Sequence, residues 1–144
     1  MTKRVLFVCL GNICRSPTAE GLARSMLSEG DDIETDSAGT GSYHAGSPPD
    51  PRAIAEAASR GIDISDLRSR QVERSDFDRF DLIVAMDRSN LANLKRIAPD
   101  DCRATVRLML ASEEVPDPYY DDGFEHVYDL LEGAMRDLLA DLRS

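Results

Sequence analysis

The chain lacks any long apolar run. The longest covers residues 5–10, far short of the roughly 20 residues of a membrane-spanning helix. Lys3 and Arg4 precede it, but no small-residue cleavage site follows, so no secretory signal is expected and a cytoplasmic address is the default. Histidine is scarce, and His44 and His126 have no ligand-like partners in sequence, so no metal site is expected and both read as surface residues. The three cysteines, Cys9, Cys14 and Cys102, are an odd set without zinc-type pairing, which fits free thiols in a reducing compartment. Basic residues are outnumbered, 17 against 27, giving a net charge of −10. That balance argues against nucleic-acid or anionic-membrane partners. Repeats, low-complexity tracts and linkers are absent.

What remains is a chain of 144 residues, 42% apolar and 31% charged, the size and composition of one globular domain spanning 1–144. Strand-like segments are expected at 3–9, 33–37, 82–86 and 105–109. A helix is expected over 16–29, with Ser16 as N-cap and Pro17 as first helical residue. Others follow from Asp50 or Pro51 up to the stop at Gly61, briefly over 74–79, and over 88–98. The last helix has the clearest period, with Val127, Leu130, Leu131, Ala134, Met135, Leu138, Leu139 and Leu142 on one face. Strands alternating with helices imply an α/β fold, a parallel sheet covered by helices on both faces. Ligands of such sheets sit beyond the carboxyl ends of the strands. Cys9, Gly39, Asp87 and Asp117 all fall just past such ends, in loops that include 39–51 and 111–123.

The segment Cys9-Leu10-Gly11-Asn12-Ile13-Cys14-Arg15-Ser16 joins the first strand to the first helix. A short loop of this kind turns successive N–H groups inward and forms a nest for an oxyanion, reinforced by the helix N-terminus. Gly11 permits a positive φ and Asn12 tolerates one. Arg15 can grip two oxygens of one phosphate. It supplies the local attraction that an acidic chain needs to hold an anion. A free thiol ionises near about 8.5, and inward donors and an arginine favour its anion. Cys9 is therefore the candidate nucleophile, with Ser16 able to donate a hydrogen bond to its sulfur. Cys-x5-Arg alone is equally consistent with a tight phosphate-binding turn; its place between strand and helix favours chemistry.

The run Val8 to Glu20 resembles the signature loop of low-molecular-weight protein-tyrosine phosphatases. Further matches are Asp36-Ser37-Ala38-Gly39-Thr40, Pro48-Pro49-Asp50-Pro51-Arg52, Arg70-Gln71, Met86-Asp87-Arg88-Ser89-Asn90 and Asp117-Pro118-Tyr119-Tyr120. The resemblance implies a small, cofactor-free hydrolase with a four-stranded parallel sheet in a three-layer domain. It would act on phosphotyrosine-bearing proteins as a monomer or weak dimer. Cys9, Arg15 and Asp117 would be catalytic, Asp117 as general acid and then base. An aspartate ordinarily ionises near about 3.9, so that role needs the bound phosphate and partial burial to raise it. Leu10, Gly11, Asn12, Ile13, Cys14 and Ser16 would cradle phosphate, and Tyr43 and Tyr119 would wall the substrate cleft. Tyr120 is balanced between cleft and plain surface. Ser37 is expected to hydrogen-bond Asn12, and Asp87 to cap the helix that begins after it. Cys14 is either an apolar filler or a thiol that protects Cys9 by disulfide formation. Many family members carry a histidine shortly before Arg-Gln, where this chain has Asp66, so the bracing of the loop must differ.

Three other readings stand beside this one. An arsenate reductase on the same fold needs relay cysteines around residues 80–100, and only Cys102 is near. A protein-arginine phosphatase would resemble this loop with threonine in place of Ile13. A non-catalytic phosphate-binding or redox-sensing module would not need the full Cys, Arg and Asp set.

Overall fold

A computed structural model of the chain describes residues 2–110 and 113–143; Ala111 and Ser112, the start of the expected 111–123 loop, lie outside them. The elements in order are β1 (Lys3–Cys9), α1 (Arg15–Met26), β2 (Ile33–Gly39), α2 (Pro51–Ser59), α3 (Asp76–Arg79), β3 (Leu82–Ala85), α4 (Arg88–Ile97), β4 (Thr105–Leu108) and α5 (Phe124–Arg143). All strand pairs are parallel, in the order β2-β1-β3-β4. The chain leaves β1 in one direction to form β2 and then crosses to β3 on the other side. The order therefore reverses beside β1, the place where open α/β sheets bind ligands.

Alternation along β1 explains the three layers. Val5, Phe7 and Cys9 face a core shared with Leu22 and Ala23 of α1, Ala53 and Ala57 of α2, and Leu131, Met135 and Leu138 of α5. Leu6 and Val8 face the opposite core, with Phe77 of α3, Phe80 and Leu94 of α4. A strand buried on both sides reads as an unbroken apolar run, which is why residues 5–9 stand out in the sequence.

Several boundaries differ from expectation. α1 begins at Arg15, ahead of the expected first residue Pro17, with Cys14 rather than Ser16 at its cap position and no side-chain cap. It ends at Met26 because Leu27 turns extended and packs on the core with Met26. β2 continues to Gly39, whose pairing with Cys9 brings the two strand ends together. A Cβ on Gly39 would lie 2.7 Å from the Leu10 carbonyl oxygen, so the close approach requires glycine. Asp50 caps α2 by accepting from the Arg52 N–H, and Gly61 follows the helix at φ +82°.

Candidate active site

The loop after β1 is turned inside out. The carbonyls of Cys9, Leu10 and Ile13 accept N–H groups of Thr40, Gly41 and Asp50, and that of Cys14 accepts Thr18 N–H. The Gly11 carbonyl accepts the Ser69 hydroxyl at 2.9 Å. With these carbonyls committed outward, the N–H groups of residues 10–14 donate to no protein group among the described residues. Such converging, unpaired donors at a helix N-terminus form an anion nest. Asn12 makes the turn possible at φ +57°. Its side chain is fixed at both ends, accepting the Arg70 N–H at 3.0 Å and donating to Ser16 Oγ at 2.8 Å.

Cys9 Sγ lies 3.0 Å from Ser16 Oγ at the base of this nest. Ser16 Oγ receives the Asn12 amide, and its own proton can go to the sulfur at 3.0 Å or to the Ala38 carbonyl at 3.5 Å; an ionised sulfur is the nearer and stronger acceptor. This explains why Ser16 is not the N-cap: its hydroxyl serves Cys9 rather than the helix. Arg15, only 2% exposed, is oriented by two acceptors on Nη1, Asp87 Oδ2 at 2.7 Å and the Val115 carbonyl at 3.0 Å. Its Nη2 meets Asp117 Oδ2 at 3.6 Å. Burial works against the arginine charge, yet Cys9, Asp87 and Asp117 outweigh it and raise the guanidinium above its ordinary value. Arg15 therefore stays charged.

Asp117 sits on the segment between β4 and α5, where its Oδ1 accepts the Tyr119 N–H at 3.1 Å. Asp87 both caps α4, accepting the Asn90 N–H at 2.7 Å, and orients Arg15. The expected cap is only half its role. A cleft of about 370 Å³ opens above Cys9, lined by Leu10, Gly11, Ile13, Cys14 and Arg15 below and by Tyr43, His44, Asp117, Tyr119 and Tyr120 around the rim.

The structure corrects two expectations, for Ser37 and His44, and shows what braces the loop in this chain. Ser37 does not hold Asn12; its hydroxyl donates to the buried Glu20 carboxylate at 2.7 Å, because β2 points it under α1. His44 is not a bland surface residue, since it lines the cleft with its ring 6.4 Å from that of Tyr119, whereas His126 is exposed. Asp66 is exposed and does not brace the loop; the Ser69 hydroxyl and the Arg70 backbone do so. Ser69 carried no signal in the sequence, since only the approach of the 69–72 segment to Gly39 gives it a task. Tyr120 joins the rim, edge-on to Tyr119 at 5.1 Å. Burial, then the neighbouring Cys9, Asp50 and Asp117, push the Cys14 thiol strongly up, so it sits beneath the nest as a neutral group. Among the described residues no three His, Cys, Asp or Glu side chains are grouped to hold a metal.

Comparison with known proteins agrees with this geometry. Residues 4–144 match the family model of low molecular weight phosphotyrosine protein phosphatases. A low molecular weight protein-tyrosine-phosphatase of Streptomyces coelicolor is 44% identical, covering 99% of this chain and 95% of its own. The crystal structure of YfkJ from Bacillus subtilis superposes with a TM-score of 0.92 at 37% identity, covering 99% of this chain and 96% of its own. That of a Drosophila arginine phosphatase gives 0.89 at 30%, covering 97% and 98%. Matched over nearly its whole length in sequence and in fold, the chain belongs to the low molecular weight phosphotyrosine protein phosphatase family.

Proposed function

We propose that this protein hydrolyses phosphotyrosine in proteins through a phosphocysteine on Cys9. The thiolate attacks phosphorus in line with the ester oxygen; the S–P bond forms as the P–O bond to the phenol breaks. Asp117, at the rim beside Arg15, gives its proton to the leaving phenolate. Water then attacks phosphorus, Asp117 takes its proton, and the S–P bond breaks to release phosphate and the thiolate. In both steps charge spreads over the three equatorial oxygens, which the nest N–H groups and Arg15 are arranged to receive. The inside-out loop around Cys9 is the observation that carries this reading. A neutral Cys14 leaves the nucleophilic role to Cys9.

The aromatic rim of Tyr43, Tyr119 and Tyr120 suits a phenyl ring inserted edge-down towards the sulfur. Ile13 fills the floor of the cleft, where its bulk favours a flat ring over a phosphoguanidinium. Turnover of p-nitrophenyl phosphate tests the chemistry. Cys9→Ser is expected to abolish it, and Asp117→Ala to slow it by about a hundredfold while leaving the phosphoenzyme able to form. A Cys9→Ser protein with unchanged rate would refute the mechanism. Phosphoarginine turned over faster than phosphotyrosine would instead favour the arginine-phosphatase reading.

A further inference from the structure

We propose that the cleft selects phosphotyrosine flanked by basic residues, a specificity that rests on the phosphatase reading above. The rim combines tyrosine side chains, one histidine and a carboxylate. Its aromatic side chains present open ring faces, with Tyr43 80% and Tyr120 84% exposed. Asp117 lines the cleft, and the segment 113–122 that carries it with Tyr119 and Tyr120 also holds Glu113, Glu114, Asp121 and Asp122 and neither lysine nor arginine. Segment 40–50 adds His44, Asp50 being buried against Arg52, and segment 10–14 carries no charge.

Of the cations near this end, Arg74 and Arg96 lie around Thr40 outside the cleft lining, whereas Arg52, Arg88 and Arg15 are held by carboxylates. Arg52 lies behind Tyr119, its guanidinium carbon 5.5 Å from the ring centre. It is bound by Asp50 at 3.0 and 3.1 Å and by Asp122 at 3.4 Å. Arg88 faces Glu114, at 2.8 Å through its N–H and 3.8 Å through its guanidinium. Arg15 is buried and turned towards the phosphate position. Beyond the phosphate itself, an incoming peptide meets carboxylates and tyrosine faces. Both attract lysine and arginine side chains, the first by charge and the second by cation–π contact. An acidic flank meets repulsion from the exposed Asp121 and Asp122.

Two phosphotyrosine peptides of equal length, one with arginines and one with glutamates on either side, distinguish the possibilities. At low ionic strength kcat/KM is expected to favour the basic peptide by about tenfold, and the ratio to shrink in about 0.5 M salt. The double variant Asp121→Asn, Asp122→Asn should reduce the ratio. Glu29→Gln with Asp137→Asn removes the same charge at the far end, Asp137 being about 20 Å along α5 from its start, and should leave the ratio as it was. Equal kcat/KM for both peptides, or an equal fall of the ratio in both double variants, would overturn local selection while leaving the phosphatase reading intact. Failure to turn over either peptide would overturn both.

Discussion

Ser16 is held from one side by Asn12 and faces Cys9 on the other, so one hydroxyl links the shape of the loop to its chemistry. Removing it takes a donor from the sulfur and an acceptor from Asn12, the residue at positive φ. A hydrogen bond to a charged group contributes about 1.5–3 kcal/mol. Ser16→Ala is therefore expected to lower kcat on p-nitrophenyl phosphate by about ten- to hundredfold. KM should change much less, since the nest N–H groups remain. An unchanged kcat would show that the hydroxyl does not act on the sulfur. Cys9, Arg15 and Ser16 stand together in one segment, so the sequence alone brings them within reach of one another. Asp87 and Val115 were not legible as partners of Arg15, because they arrive on other strands and loops.

At the scale of elements, the segment before α3 is what holds the nest in shape. Arg70 gives its N–H to Asn12 while its guanidinium grips Asp76 at 3.0 and 3.1 Å. Asp76 is wholly buried and also accepts from Arg79 and the Glu73 N–H. Burial alone would raise its carboxyl, but Arg70, the Glu73 N–H and Arg79 together hold it below the ordinary carboxylate range. A depressed carboxyl stabilises the fold fully above its unfolded value, about 3.9, and loses that contribution as pH falls through the lower folded value. Asp76→Asn is expected to cost about 2 kcal/mol at neutral pH, less than a wholly buried pair because both arginines keep an exposed edge. Urea unfolding measured from pH 7 down to about 3 should show the gap to wild type closing as the native carboxyl protonates. A gap independent of pH would place the effect in packing instead. The short α3 was foreseen within a few residues, yet its link to the loop was not, since ion pairs between distant segments leave no periodicity behind.

For the whole molecule, the net charge of −10 sets a field that repels phosphate, and one buried arginine with a ring of backbone donors must overcome it. An oxyanion that binds only the folded chain stabilises it by about 2.7 kcal/mol at a hundred times its Kd. In a chain of this length each kcal/mol moves Tm by about 2–4 °C. Saturating vanadate is thus expected to raise Tm by roughly 5–10 °C in the wild type, and by little in Arg15→Ala. An equal rise in both would put the anion elsewhere. The sequence by itself determined the strands and helices, their alternation and the Cys-x5-Arg loop, because these follow from local periodicity, caps and residue spacing. Only the tertiary structure decided that Ser37 turns to Glu20, that Ser69 braces the Gly11 carbonyl, and that His44 joins the cleft. Those choices depend on which loops meet at the carboxyl end of the sheet, a matter of strand order and packing that no local pattern encodes.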